Sequence, residues 1–329
     1  MEILKGAELC FPKLLNTSCR KPTLHWSKAV LLNIVLSCVS LITAALNLLV
    51  IISVSHFRQL HTPTNILLLS LAVSDFLVGL LLMPFEIFRN MDCWVLGDLM
   101  CSVSWYLTGN IAYASTGNIV LISVDRYVAI CHPLHYSTRI TMARVKLSVC
   151  LCWFFAIFYS SLYMKDVLIK PGRYNSCYGE CVFVINDIAG IIDIVLSFFV
   201  PVTIIIVLYM RIFVVAVSQA RAMRSHVTAV TLQRSLNQTS KSELKAARTL
   251  GVLVVVFLVC YCPFYCFAFG VEDMANNPST FFVVFILYFN SCLNPLIFAL
   301  FYPWFRNAVK LIITLQIFKH ETSEANILL

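Results

Sequence analysis

Asp193 stands alone in GIIDIVLSFFVP, residues 190–201, a run that is otherwise apolar apart from Ser197. An ionised carboxylate in such a segment costs about 3 kcal/mol or more unless it is paired, so it is expected to hold a cation or a donor. It is either the partner of an ammonium ligand or an acid pairing with water or a neighbouring helix. Ser197 lies one helical turn on, where it would share the face of Asp193 and bond to it or to the ligand. A second constellation comprises Asn47, Asp75, Ser115, Asn290 and Asn294, at comparable depths in four other apolar runs. Oxygen-rich groups of this kind suit a small cation such as Na+, or a hydrogen-bond network worth ~1 kcal/mol per contact. A third is Asp125-Arg126-Tyr127, with Glu243 opening a later run on the same side. Arg126 is expected to pair with Asp125 or Glu243. Such a pair is either a reversible two-state element or a surface ion pair worth ~0–1 kcal/mol.

Positioning these groups falls to a membrane protein. The 329 residues are 60% hydrophobic and only 12% charged, where a soluble domain is about a quarter charged. Seven runs are long enough to cross a bilayer as helices: 29–54, 64–87, 98–130, 143–165, 187–214, 246–270 and 279–302. A barrel would need short alternating segments instead. The expected fold is an all-α, seven-transmembrane helix bundle. Residues 1–28 form an outer tail, 29–302 the bundle, and 303–329 a short amphipathic eighth helix carrying Lys310 at the lipid surface, then a tail. The N-terminus lacks a cleavable signal pattern, so the first span is expected to direct insertion.

The net charge of +8 sits in short loops, which reads as topology and not as nucleic-acid binding. Arg58, Arg139, Arg144, Lys146, the basic stretch 215–245 and Arg306 fall on one side, expected to be cytoplasmic, with the N-terminus outside. The sequon at Asn16 falls outside, and so do Cys10, Cys19, Cys93, Cys101, Cys177 and Cys181, where disulfides form. Pro201, Pro263 and Pro295 interrupt three spans. Tyr261, Phe264 and Tyr265 crowd the second of these kinks, as core or as a ligand floor. Near the outer end of the second span, Glu86 has Arg89 three residues on. That spacing gives a local ion pair, or else a second anionic contact for a diamine. Phe264, Tyr265 and Tyr288 would offer cation–π faces to an ammonium. No lysine in 279–302 could hold retinal, and no internal repeat suggests a transporter.

These residues together resemble the rhodopsin-like G-protein-coupled receptors: Asn47 in LNLLV, LAVSD ending at Asp75, Asp125-Arg126-Tyr127, Trp153, Pro201, CYCP at 260–263 and NPLIF at 294–298. Within that class the chain is similar to the trace amine-associated receptors, through HFRQLHTPTN at 56–65, NSCLNPLIFALFYPWF at 290–305 and the N-terminal CFPKLLNTSC. The resemblance implies disulfides Cys101–Cys181 and Cys19–Cys177, leaving Cys10 and Cys93 unassigned. It assigns activation roles to Asp125, Arg126, Tyr127, Glu243, Asn294 and Pro295. Tyr261 and Phe298 depart from the class's usual tryptophan and tyrosine at switch positions.

Aminergic receptors typically hold the ammonium with a third-span aspartate, and the matching position here is Thr108. The resemblance suggests a fish olfactory subset in which Asp193 takes over that role, with Ser197 and Thr108 beside it. The expected function is an amine receptor of the plasma membrane. It would have no enzymatic activity and no cofactor beyond a Na+ ion, and would signal through a heterotrimeric G protein of the stimulatory, olfactory type. The alternative is a rhodopsin-like receptor for a non-amine ligand, with Asp193 structural.

Overall fold

The computed structural model describes residues 9–14, 17–19, 26–89, 93–184, 186–225, 234–270 and 280–314. Seven long helices carry the fold. They are α1 (Trp26–His56), α2 (Pro63–Arg89), α3 (Gly97–Cys131), α4 (Met142–Tyr163), α5 (187–225), α6 (Arg234–Gly270) and α7 (Thr280–Phe301). The short α8 (Pro303–Ile313) follows at once. Among the described residues there is no strand, only an isolated bridge between Ser18 and Tyr178.

Local chemistry sets several boundaries. Thr62 caps α2, accepting from Asn65 N at 3.3 Å, and Pro63 occupies the first turn, where its missing N–H costs nothing. Thr141 caps α4 in the same way, and Asn186 caps α5 through Ile188 N at 3.0 Å. The hydropathic runs locate all seven long helices but markedly shorten two of them. α5 continues to Ser225 and α6 begins at Arg234, because hydropathy marks bilayer depth while a helix can extend beyond it.

The bundle is apolar outside and polar within. Leu41, Phe154, Phe155 and Leu300 are exposed, while Asn47, Ser74, Asp75, Asn118 and Asn294 are fully buried. Six of the spans are apolar enough to cross a membrane by composition alone. The seventh, α3, buries Asn110, Ser115, Thr116, Asn118 and Ser123. It packs against α2, α4, α5 and α6, so its polar groups face other helices. Close helix approach is set by small residues. A Cβ on Gly79 would come within 2.7 Å of Ala44 N, and Ser40 Oγ donates to Gly79 O at 2.7 Å. α8 turns its Trp304, Phe305 and Ala308 into the core beside Phe57 and Phe298, leaving Lys310 exposed.

Three disulfides gather one end of the bundle. Cys101 bonds Cys181, Cys19 bonds Cys177, and Cys10 bonds Cys93, a pairing the sequence left open. Backbone bonds lash the same segments together: Cys19 N to Tyr178 O at 2.9 Å, and Trp94 N to Gly179 O at 2.9 Å. Gly179 has φ +105°, and a Cβ there would press on Cys10, so glycine is required. Asn16 lies outside the described residues.

Removing the Cys101–Cys181 link is expected to cost about 3 kcal/mol or more, since it closes a separation of 80 residues. Cys101→Ser should cut surface-labelled protein severalfold and speed thermal inactivation. Cys38→Ser, at an exposed free thiol of α1, should change neither. Equal surface levels and inactivation rates for the two variants would refute this.

Candidate functional site

Asp193 sits in the first segment of α5 (Asp187–Ile194), just before a π turn over Val195–Phe199 and the main segment Val200–Ser225. The half-buried carboxylate points toward α3 and α4. Tyr113 Oη donates to Asp193 Oδ1 at 2.6 Å, and Tyr159 Oη donates to the same oxygen at 3.2 Å. The two rings meet edge to face at 5.0 Å, and Tyr163 stacks behind Tyr159 at 6.0 Å. Oδ2 accepts no hydrogen bond from the described residues, and none of their cations pairs with Asp193. The arrangement fixes a carboxylate by neutral donors and leaves it available to a positive charge.

Ser197 does not bond Asp193, contrary to the helical spacing. Its hydroxyl lies 3.3 Å from Tyr265 Oη. The π turn adds a residue to the helical circuit, so a side chain four positions on no longer shares the face. Pro201 explains the site of the turn, since it cannot donate to the carbonyl one turn back. Tyr265 also stacks on Phe198 at 4.3 Å, with Phe264 edge-on to it at 5.3 Å. Tyr261 is buried against Phe257 at 4.2 Å.

Thr108 lies roughly one and a half turns from Tyr113 along α3, and its hydroxyl donates to Ser104 O of its own helix at 2.8 Å. On that side the groups are differently matched. Glu86 pairs with Arg89 at 3.1 Å, and the guanidinium lies 4.1 Å over the Trp105 ring. Tyr288 is buried near Thr108 and Arg89. Trp105 stacks on Phe183 of the disulfide-tied loop at 5.5 Å. Glu86 is therefore neutralised within its own helix.

Deeper in the bundle, Asp75 is fully buried and accepts from Asn294 Nδ2 and Ser291 Oγ, both at 2.7 Å. Asn47 instead donates to Thr43 O and Ser291 O at 3.0 Å. Ser115 and Asn290 are buried but do not bond Asp75, and both amide atoms of Asn290 lack partners. Ser291 thus takes the place expected of Asn290. Pro295 lies within α7 and cannot donate to Ser291 O, which Asn47 reaches instead.

The profile of the 7 transmembrane receptor (rhodopsin family) matches residues 46–298. Trace amine-associated receptor 13c of Danio rerio is 38% identical, covering 98% of this chain and 96% of the relative. Trace amine-associated receptor 1 of Mus musculus is 34% identical over 92% and 95%, and receptor 8b of Rattus norvegicus is 37% identical over 97% and 96%. The chain belongs to the trace amine-associated receptors of the rhodopsin family. It is a multi-pass membrane receptor for signalling, not an enzyme.

At the end of this receptor opposite the disulfides, Asp125 is the centre of a closed network. Arg126 Nε donates to Asp125 Oδ2 at 3.0 Å, with Nη2 closer still. Thr64 Oγ1 donates to Oδ2 at 3.0 Å, and Tyr136 Oη donates to Oδ1 at 2.9 Å from the short helix Pro133–Arg139. Burial, and then the charge of Asp125, push the Tyr136 phenol up to about 12, so it stays a neutral donor. Tyr127 instead packs edge-on against His132 at 5.6 Å. The Glu243 side chain lies outside the described residues. Sequence reasoning did not place Thr64, Tyr136, Tyr209 or Tyr302 in this network. Among the described residues, the buried Tyr209 and Tyr302 hydroxyls find no hydrogen-bond partner while lying within electrostatic range of Arg126. The available signal was position: Tyr209 and Tyr302 fall toward the ends of two apolar runs and Tyr136 in the loop between two others, all on one side.

Proposed function

We propose that this receptor senses amines, with the ligand's ammonium paired to Asp193 and with Ser197, Thr108, Phe264, Tyr265, Tyr288 and Tyr261 around the ligand. One observation carries the reading. Asp193 is a half-buried carboxylate held by two tyrosine hydroxyls, with no cationic partner among the described residues. A trapped anion of this kind is incomplete without a positive charge. The relatives' names point to the same ligand class. Thr108, a neutral hydroxyl committed to its own helix, offers no competing anion. Glu86 would serve a diamine's second nitrogen only by giving up Arg89, which favours ligands with one charge.

In this reading the N-terminus and disulfide end lie outside the plasma membrane, Asn16 carries glycan, and the receptor works in olfaction. Residues 1–28, 29–302 and 303–329 serve as outer tail, receptor body and inner tail. Ligand binding shifts the population toward a form in which the network of Asp125 and Arg126 opens, with Tyr127 adjoining it, beside Glu243, Asn294 and Pro295. That form engages a stimulatory heterotrimeric G protein. The test is cAMP accumulation in cells given amines and their N-acetyl counterparts. Charged amines should respond and the uncharged amides should not. Equal responses would favour a non-amine receptor with Asp193 structural.

The layer at Asp75 suits Na+. A fully buried carboxylate meets neutral donors only, and the oxygens of Asn47, Asn290 and Asn294 are left without partners. Oxygen ligands of this kind match a hard cation. Purified receptor should therefore gain thermal stability as NaCl replaces KCl at constant ionic strength, and Asp75→Asn should abolish that gain. A Na+ effect that persists in Asp75→Asn would place the ion elsewhere.

A further inference from the structure

Beneath the Asp193 cluster, a groove of about 690 Å³ opens between α3, α4 and α5 on the lipid-facing side of the bundle. Its walls are apolar, with Leu151, Phe155 and Phe158 of α4 facing Leu196 and Ile204 of α5. Its floor is close to α3, where Gly117 would place a Cβ 2.5 Å from Cys152 Sγ. These wall residues are open to the bilayer: Phe155 is 62% exposed, Leu196 51% and Leu151 46%. The polar end is different. Tyr113 and Tyr159 line the groove and are the two residues whose hydroxyls hold Asp193 Oδ1. Ser197 lines it too, and reaches Tyr265 on the inner side.

An apolar groove ending on the two tyrosines that hold a carboxylate matches one ligand shape, a cationic head on a hydrocarbon tail. We infer that the α3–α4–α5 groove receives the hydrocarbon part of a lipophilic primary amine whose ammonium is paired with Asp193, reached laterally from the bilayer. The inference rests on the amine reading above and extends it to ligand class and route. Charge complementarity argues for this occupant. A phospholipid tail would fill the apolar walls but leave the anion unanswered. The two tyrosines suit the junction, with phenol oxygens that turn to the charged head and ring faces that receive a cation.

The test uses full-length receptor in cells and the alkylamine series propylamine, hexylamine and octylamine. Wild-type potency should rise with chain length by up to about fourfold per methylene, the value of burying one CH2 group. Leu196→Trp and Leu151→Trp fill the groove from exposed positions without touching the core. Each should flatten the series, costing octylamine ~tenfold or more while sparing propylamine. Val207→Trp, exposed on α5 but outside the groove, should leave the series unchanged.

A wild-type series without chain-length dependence, or one unaltered by both groove variants, overturns the proposal. So does equal loss of propylamine and octylamine at normal surface level, which would mean that a resident lipid supports the helices there. If Asp193→Asn keeps every response, the amine reading itself fails. Loss of all responses in Asp193→Asn beside an unaltered series in the groove variants would leave that reading standing and remove this one alone.

Discussion

Asp193→Asn is expected to lower amine potency by roughly a hundredfold or more while the receptor still reaches the cell surface. The substitution keeps a carbonyl oxygen where Tyr113 and Tyr159 donate, at 2.6 and 3.2 Å, so the local packing has no cause to collapse. What disappears is the charge. Removing one partner of a buried pair costs ~3–5 kcal/mol, and 1.4 kcal/mol is a decade in affinity. Tyr113→Phe makes a useful contrast. It retains the anion and deletes one hydrogen bond, so its loss should be roughly tenfold at most. Dose–response curves in cAMP, normalised to surface labelling, measure both. An Asn variant within twofold of wild type would make the carboxylate structural.

Asp125→Asn should raise ligand-free signalling at least severalfold. The carboxylate is 2% exposed and accepts from Arg126, Thr64 and Tyr136 together. An amide in its place still accepts, but it no longer neutralises the Arg126 guanidinium, itself only 10% exposed. An unpaired buried charge is worth ~3–5 kcal/mol against the closed form. That is enough to move an equilibrium of a few kcal/mol toward the form in which Arg126 is released. The Tyr209 and Tyr302 hydroxyls, buried near Arg126 with no hydrogen-bond partner among the described residues, are positioned to meet it there. Tyr136→Phe removes one neutral donor and should raise basal cAMP less. Basal cAMP unchanged from wild type in Asp125→Asn, at matched surface level, would show that this network does not hold the receptor closed.

Much of this was written in the chain itself. Seven apolar runs had to become helices, because lipid offers no hydrogen bonds and each span must satisfy its own backbone. Asp75, Asp125 and Asp193 were visible for the complementary reason, since a carboxylate among apolar residues is costly wherever the helix turns. The Glu86–Arg89 pair was legible too, being a contact between residues within one turn of each other. Family likeness, not spacing, supplied two disulfide pairings and the expectation that Asp193 stands in for the acid absent at Thr108.

The tertiary structure decided what each polar group faces. The π turn over Val195–Phe199 sends Ser197 to Tyr265 and leaves Asp193 to Tyr113 and Tyr159, residues far away in sequence. The packing of α7 against α2 brings Ser291 rather than Asn290 to Asp75. Loop packing brings Cys10 to Cys93. In each case the choice rests on helix rotation and on approach between segments. Those quantities come from the packing of all the helices together, and no single run of residues encodes them.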